Sequence, residues 1–306
     1  MRKTAAALIG LILLLTGCAS SIPTGKPVVV VPNYPLVFLA QELFGDTAEI
    51  VSMAKPGVDP HDLELTAQDF DAMTKADVVL YQPGFQTAVD EAVQAVKPKL
   101  AVDVAKDVTI MRTTATGETP APGADPEEEP SEYDPHIWLD PTNMEKMASA
   151  TVSAIEAAQG DNAKALAETA KTKAPELAKK LQDLDSQFTA GLQGCERTAF
   201  VVGHEAFGYL AKRYGLTQIP VSGIDPSVEP TAARIAEVQA EITQYGITTA
   251  FYVAGEADTV TESIANDMHL SLEVLDAVEL EPEGGYLAAM ERNLTALQQA
   301  DGCPIG

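Results

Sequence analysis

Short valine-rich runs alternate with stretches of helical periodicity in two blocks of the chain, and the segment between the blocks is helical in composition. This alternation restricts the fold more than any other feature, because strand–helix–strand winding produces parallel sheets with helices on both faces. In the first block, segments 28–31, 49–53, 78–81 and 100–104 read as buried strands separated by helical patterns at 34–44, 66–75 and 86–96. In the second, strands at 198–203, 218–222, 248–253 and 271–275 alternate with helices at 206–214, 231–245, 259–268 and 286–300. A chain of 306 residues exceeds what one core usually organises, which suggests two lobes of about 130 residues each. The expected fold class is therefore α/β: two lobes, each a parallel sheet flanked by helices, joined by one long rigid helix. Ligands of open α/β sheets bind beyond the carboxyl ends of the strands, so a site is expected in the cleft between the lobes.

The connecting segment, 143–191, breaks at Gly160, where Asp161 is placed to cap the helix that follows. Leu177, Leu181, Leu184, Phe188 and Leu192 then form one continuous apolar stripe. Pro175 should kink this helix or mark its start.

At the N-terminus, Arg2 and Lys3 precede an apolar run over 5–15 that is too short to span a bilayer and has the charged-then-apolar order of an export signal. The run ends in Leu15-Thr16-Gly17-Cys18, which resembles the bacterial lipobox and implies that Cys18 carries lipid and anchors the chain to a membrane. The expected organisation is a signal peptide over 1–17, a tether over 18–26, an N-terminal lobe over 27–142, a helical segment over 143–194 and a C-terminal lobe over 195–306. The N-terminal lobe carries a mobile acidic loop over 113–134, where four prolines sit among seven acidic residues and no Lys or Arg. Cys195 and Cys303 are the other cysteines, and an exported location permits a disulfide between them.

With 45 acidic against 20 basic residues the formal charge is −25, which excludes nucleic acid as a partner because phosphate binding needs clustered Lys and Arg. Cations suit such a surface better. Of the four histidines, His61, His136 and His204 sit beside turn signals at strand ends, and Asp276 occupies a fourth such position. Three imidazoles and one carboxylate match the donors of tetrahedral Zn²⁺, whereas Mn²⁺ asks for more oxygen. Singly, each histidine has a structural alternative: His61 as a cap, His136 packed beside Trp138, His204 bonded to a carbonyl. Glu256, at another strand end, is either an alternative oxygen ligand or a partner that orients a histidine. Asp59 and Asp134 are placed to orient imidazoles or simply to form turns. His269, at a polar helix end, reads as a surface residue.

The sequence resembles the zinc- and manganese-specific solute-binding lipoproteins of bacterial ABC importers. The resemblance rests on Pro60-His61-Asp62-Leu63-Glu64-Leu65-Thr66, Asp134-Pro135-His136-Ile137-Trp138-Leu139-Asp140-Pro141, Gly203-His204-Glu205-Ala206-Phe207-Gly208-Tyr209 and Val274-Leu275-Asp276. It implies an ion held between the lobes by His61, His136, His204 and a late acid matched to Asp276, and a membrane permease as partner. Manganese-selective members resemble this chain except at the position of His204, where they carry Glu, so the zinc-specific branch is implied. Two departures stand out: Ala277 where the family usually has Pro, and an acidic rather than histidine-rich segment at 113–134. The function expected is capture of Zn²⁺ outside the cytoplasmic membrane by a monomeric, non-enzymatic protein and delivery to the permease. The alternatives are a manganese-specific counterpart, a lipid-anchored zinc hydrolase and a surface adhesin. A hydrolase would need a general base beside the metal, and the chain lacks a His-Glu-x-x-His motif.

Overall fold

The computed structural model describes residues 25–114, 131–256 and 258–304. The signal peptide, Cys18, most of the tether and the centre of the acidic segment lie outside the described residues.

Each block forms a four-stranded, all-parallel sheet. The first contains β1 (Val28–Val31), β2 (Glu49–Ser52), β3 (Val78–Tyr81) and β4 (Ala101–Asp103) in the order β2-β1-β3-β4. Its helices are α1 (Tyr34–Phe44), α2 (Ala67–Lys75) and α3 (Thr87–Val96). Thr66 caps α2 in a reciprocal box with Asp69, which explains the sharp start of that helix. A short antiparallel pair, β5 (Arg112–Thr114) with β6 (Ser131–Tyr133), brackets the acidic segment, so its two ends are ordered where a mobile loop over 113–134 was expected. Asp134, the last residue of that expected loop, is fully buried.

Two helices lead to the second lobe: α4 (Pro141–Ala157) and α5 (Asp161–Gly191). At 31 residues, α5 is roughly 46 Å long at 1.5 Å per residue. It buries Leu177, Leu181, Leu184 and Phe188 as the stripe requires, and it packs on α1 of the first lobe and on the C-terminal helix (Gly285–Asp301) of the second. The helix runs through Pro175. Gly160 rather than Asp161 is the N-cap, with no side-chain capping bond; Asp161 lies in the first turn.

The second lobe holds α6 (Gly208–Tyr214), α7 (Ala232–Tyr245), α8 (Thr259–Met268) and α9 (Gly285–Asp301) around β7 (Ala199–Val202), β8 (Thr217–Pro220), β9 (Thr249–Val253) and β10 (Ser271–Leu275). Its sheet order, β10-β9-β7-β8, is the first lobe's winding read from the other edge. A disulfide joins Cys195, after α5, to Cys303, after α9. The largest core cluster is shared: Val29, Leu39, Trp138 and Met144 of the first half pack continuously with Phe188, Phe207, Phe251 and Tyr286. Smaller cores fill the outer face of each lobe. No described helix is long and apolar enough to cross a membrane.

Candidate metal centre

Four side chains converge where the carboxyl ends of the two sheets face each other. Ligand atoms of His61, His136, His204 and Glu279 all lie within 4.8 Å of one another.

His61 sits in a single 3₁₀ turn, Pro60–Asp62, after β2. Asp59 caps that turn by accepting the His61 N–H at 2.7 Å, and the Gln86 side chain donates to the Pro60 carbonyl at 2.9 Å. His136 follows β6 and is fully buried. Asp134 Oδ1 accepts both its backbone N–H (3.0 Å) and Nδ1 (2.9 Å), while Gln82 donates to the Pro135 carbonyl at 2.7 Å. The carboxylate fixes the proton on Nδ1 and leaves Nε2 for the cluster. His204 follows β7 directly. Its Nδ1 lies 2.9 Å from Glu256 Oε1, and its Nε2 is buried with no hydrogen-bond partner among the described residues. A buried imidazole nitrogen left unpaired is costly unless something else ligates it.

Glu279 supplies the oxygen. Its Oε1 lies 2.9 Å from His136 Nε2, 3.3 Å from His61 Nε2 and 4.0 Å from His204 Nε2, and the Nε2 atoms of His61 and His136 are 3.4 Å apart. A tetrahedron with bonds of about 2.0–2.1 Å has edges of roughly 3.3 Å, so the atoms of His61, His136 and Glu279 are near the spacing that a zinc ion needs, and His204 stands somewhat farther out. Burial would raise the Glu279 carboxyl, yet hydrogen bonds from His136 and His61 outweigh it and hold it well below the usual carboxylate range. For His136 burial alone would lower the imidazolium, but the bonds to Asp134 and Glu279 raise it from 6.5 to about 10.

These two halves contribute two donors each. A family profile described as "Zinc-uptake complex component A periplasmic" matches residues 29–300. The chain belongs to this family. It is 29% identical over 291 residues to the zinc-binding lipoprotein AdcA of Streptococcus pneumoniae, an alignment covering 90% of this chain and 56% of that protein. The chain thus spans a little over half the length of that relative. It is also 29% identical over 313 residues to the high-affinity zinc uptake system protein ZnuA of Bacillus subtilis, covering 94% of each. The Zn(II)-bound ZnuA-like domain of S. pneumoniae AdcA superposes with a TM-score of 0.73 at 27% identity, covering 90% of this chain and 99% of that domain.

Within this zinc-uptake family fold, the structure corrects one residue expected in the cluster. The fourth donor is Glu279 and not Asp276. The Asp276 carboxylate is spent on its own turn: Oδ1 accepts the Val278 N–H at 2.8 Å, and Oδ2 lies 3.9 Å from Arg292. Glu256 is outside the four-atom cluster and orients His204 instead. His269 ends α8 as an exposed residue in a left-handed conformation. The sequence signal for Glu279 is only an acid three residues beyond the strand-end Asp276; the handedness of the turn between them decides which one faces the imidazoles.

A cavity of about 370 Å³ adjoins His204 and is lined in part by Asp59, Glu229, Glu256 and Asp258. Four carboxylates around an opening beside the cluster make that approach favourable to a divalent cation. Gly203, just before His204, lies so close to the Asp258 carboxylate that an added Cβ would force that side chain to shift.

Proposed function

We propose that the protein captures Zn²⁺ outside the cytoplasmic membrane and hands it to the permease of an ABC importer. The observation that carries this reading is the set of three imidazole nitrogens and one carboxylate oxygen, drawn equally from both lobes and all within 4.8 Å of one another. Three nitrogen donors favour Zn²⁺ over Mn²⁺, which prefers a larger, oxygen-rich shell. Zinc is here the cargo, bound and released with no reaction at the site. The named zinc-binding and zinc-uptake proteins that the chain resembles support both the ion and the transport role. The Leu15-Thr16-Gly17-Cys18 sequence supports export and a lipid anchor on Cys18, which would keep the loaded protein beside its permease.

Titration of the metal-free full chain with Zn²⁺ against a competing chelator tests the reading. One ion per chain is expected, with Mn²⁺ bound far more weakly, and His204→Ala should lower zinc affinity by orders of magnitude while the protein stays folded. Equal affinity for the two ions, or unchanged zinc affinity in His204→Ala, would reject it.

A further inference from the structure

Between the end of β10 at Leu275 and the ligand Glu279, the chain takes a left-handed step at Val278, where φ is 58°. A β-branched residue resists that conformation because its Cβ crowds the neighbouring carbonyl, so it persists only where surrounding bonds over-determine it. The determinants are visible. Asn293, on α9, accepts the Asp276 N–H on Oδ1 at 2.8 Å and donates from Nδ2 to the Asp276 carbonyl at 2.7 Å. Asp276 Oδ1 in turn accepts the Val278 N–H at 2.8 Å. The next carbonyl, that of Ala277, receives the Trp138 indole N–H at 2.8 Å.

Asn293 is 1% exposed among apolar neighbours on its helix, including Met290, Leu294 and Leu297. A buried amide there has no packing advantage over leucine; both of its polar atoms are committed to Asp276. We infer that Asn293 is a positioning residue for Glu279. Its amide clamps Asp276, Asp276 holds the left-handed Val278, and the Glu279 carboxylate is thereby set at ligand distance before an ion arrives. The inference rests on the proposed zinc site. A donor fixed in advance loses little freedom on binding, so release of the clamp should appear as lost metal affinity.

The test is zinc competition with a chelator on four forms of the full chain: unchanged, Asn293→Ala, Glu279→Gln, and the two combined. Glu279→Gln examines the site itself; if it binds zinc as tightly as the unchanged protein, the zinc-site reading falls and takes this inference with it. Given weakened Glu279→Gln, Asn293→Ala is expected to lower affinity about 10–100-fold in the unchanged background. In the Glu279→Gln background its effect should shrink to less than about threefold, because the clamp then has no carboxylate to aim. A general structural defect would weaken both backgrounds alike. Unchanged affinity in Asn293→Ala, or the same loss in both backgrounds, overturns the assignment. Should circular dichroism show Asn293→Ala unfolded, Asn293→Asp replaces it: it keeps the acceptor for the Asp276 N–H, loses the donor, and must show the same pattern.

Discussion

The indole N–H of Trp138 donates to the carbonyl of Ala277 at 2.8 Å, joining the first lobe to the turn of the second that carries Glu279. Tyr286 returns the contact by donating its hydroxyl to the Trp138 carbonyl at 2.6 Å. Tyr209, on α6, bridges similarly, donating to the Asp134 carbonyl at 3.0 Å and accepting the Met111 N–H at 2.8 Å. The lobes are thus tied by protein bonds and a shared core, and the metal site is built across that seam.

Trp138→Phe keeps the ring's bulk and deletes the bond to Ala277, leaving a buried carbonyl without its donor. A loss of about 1–3 kcal/mol in folding stability is expected. Urea unfolding of the metal-free protein followed by circular dichroism checks it, and an unchanged midpoint would show that the lobes do not depend on this bond.

An ion entering the proposed zinc site is expected to displace a proton. His136 is raised from 6.5 to about 10 in the metal-free fold, so its stabilising contribution is fully present below about 6.5 and is lost as pH rises through about 10. Zinc competes with that proton, so affinity should rise with pH between 6 and 9, with about one proton released from this residue per ion bound at pH 8. Calorimetry in buffers of different ionisation enthalpy reads the proton directly; zinc uptake with no proton release at pH 8 would refute the assignment to His136.

Asp134 and Glu256 perform the same task for different histidines in different surroundings. The Asp134 side chain is 0% exposed and the Glu256 side chain 20%, so water can replace part of what Glu256 provides but nothing that Asp134 provides. Asp134→Asn is expected to weaken zinc binding about 10–100-fold and Glu256→Gln by less. Chelator competition on both variants checks the order; a larger effect in Glu256→Gln would invert the reasoning.

Most of the fold was legible because its signals are local. Runs such as Val28–Val31 and the spacing of Leu177, Leu181, Leu184 and Phe188 reveal buried strands and a helix stripe without knowledge of their partners. Three imidazoles were legible for the same reason, each standing beside a turn signal at the end of a strand. Glu279 was not, because its direction depends on the left-handed backbone at Val278, which is held by Asp276 and, through it, by Asn293 on α9. The order at Asp134 was hidden by its acidic neighbours, since its burial follows from contacts with His136 and Tyr209 made only in the folded chain. Helix α6 starts at Gly208, two residues later than its composition suggests, because the backbone at His204 to Ala206 is used in a turn against Gly223.

Gly203→Ala should impair the centre without touching a donor atom. The new Cβ would press on the Asp258 carboxylate, so either that side chain swings away and loosens its cap on α8, or the peptide that carries His204 shifts. Weaker zinc binding together with a lower melting temperature is expected, measured by chelator competition and calorimetry. Native behaviour in both would mean that the Asp258 side chain yields freely.

The identity of the four donors is tested most directly by anomalous diffraction at the zinc edge from crystals of the zinc-loaded protein. One peak is expected, at about 2.0–2.2 Å from Nε2 of His61, His136 and His204 and from a carboxylate oxygen of Glu279, with Asp276 and Glu256 outside bonding distance. A peak bonded to Asp276 or Glu256 in place of Glu279, or zinc located away from the three histidines, would contradict the site.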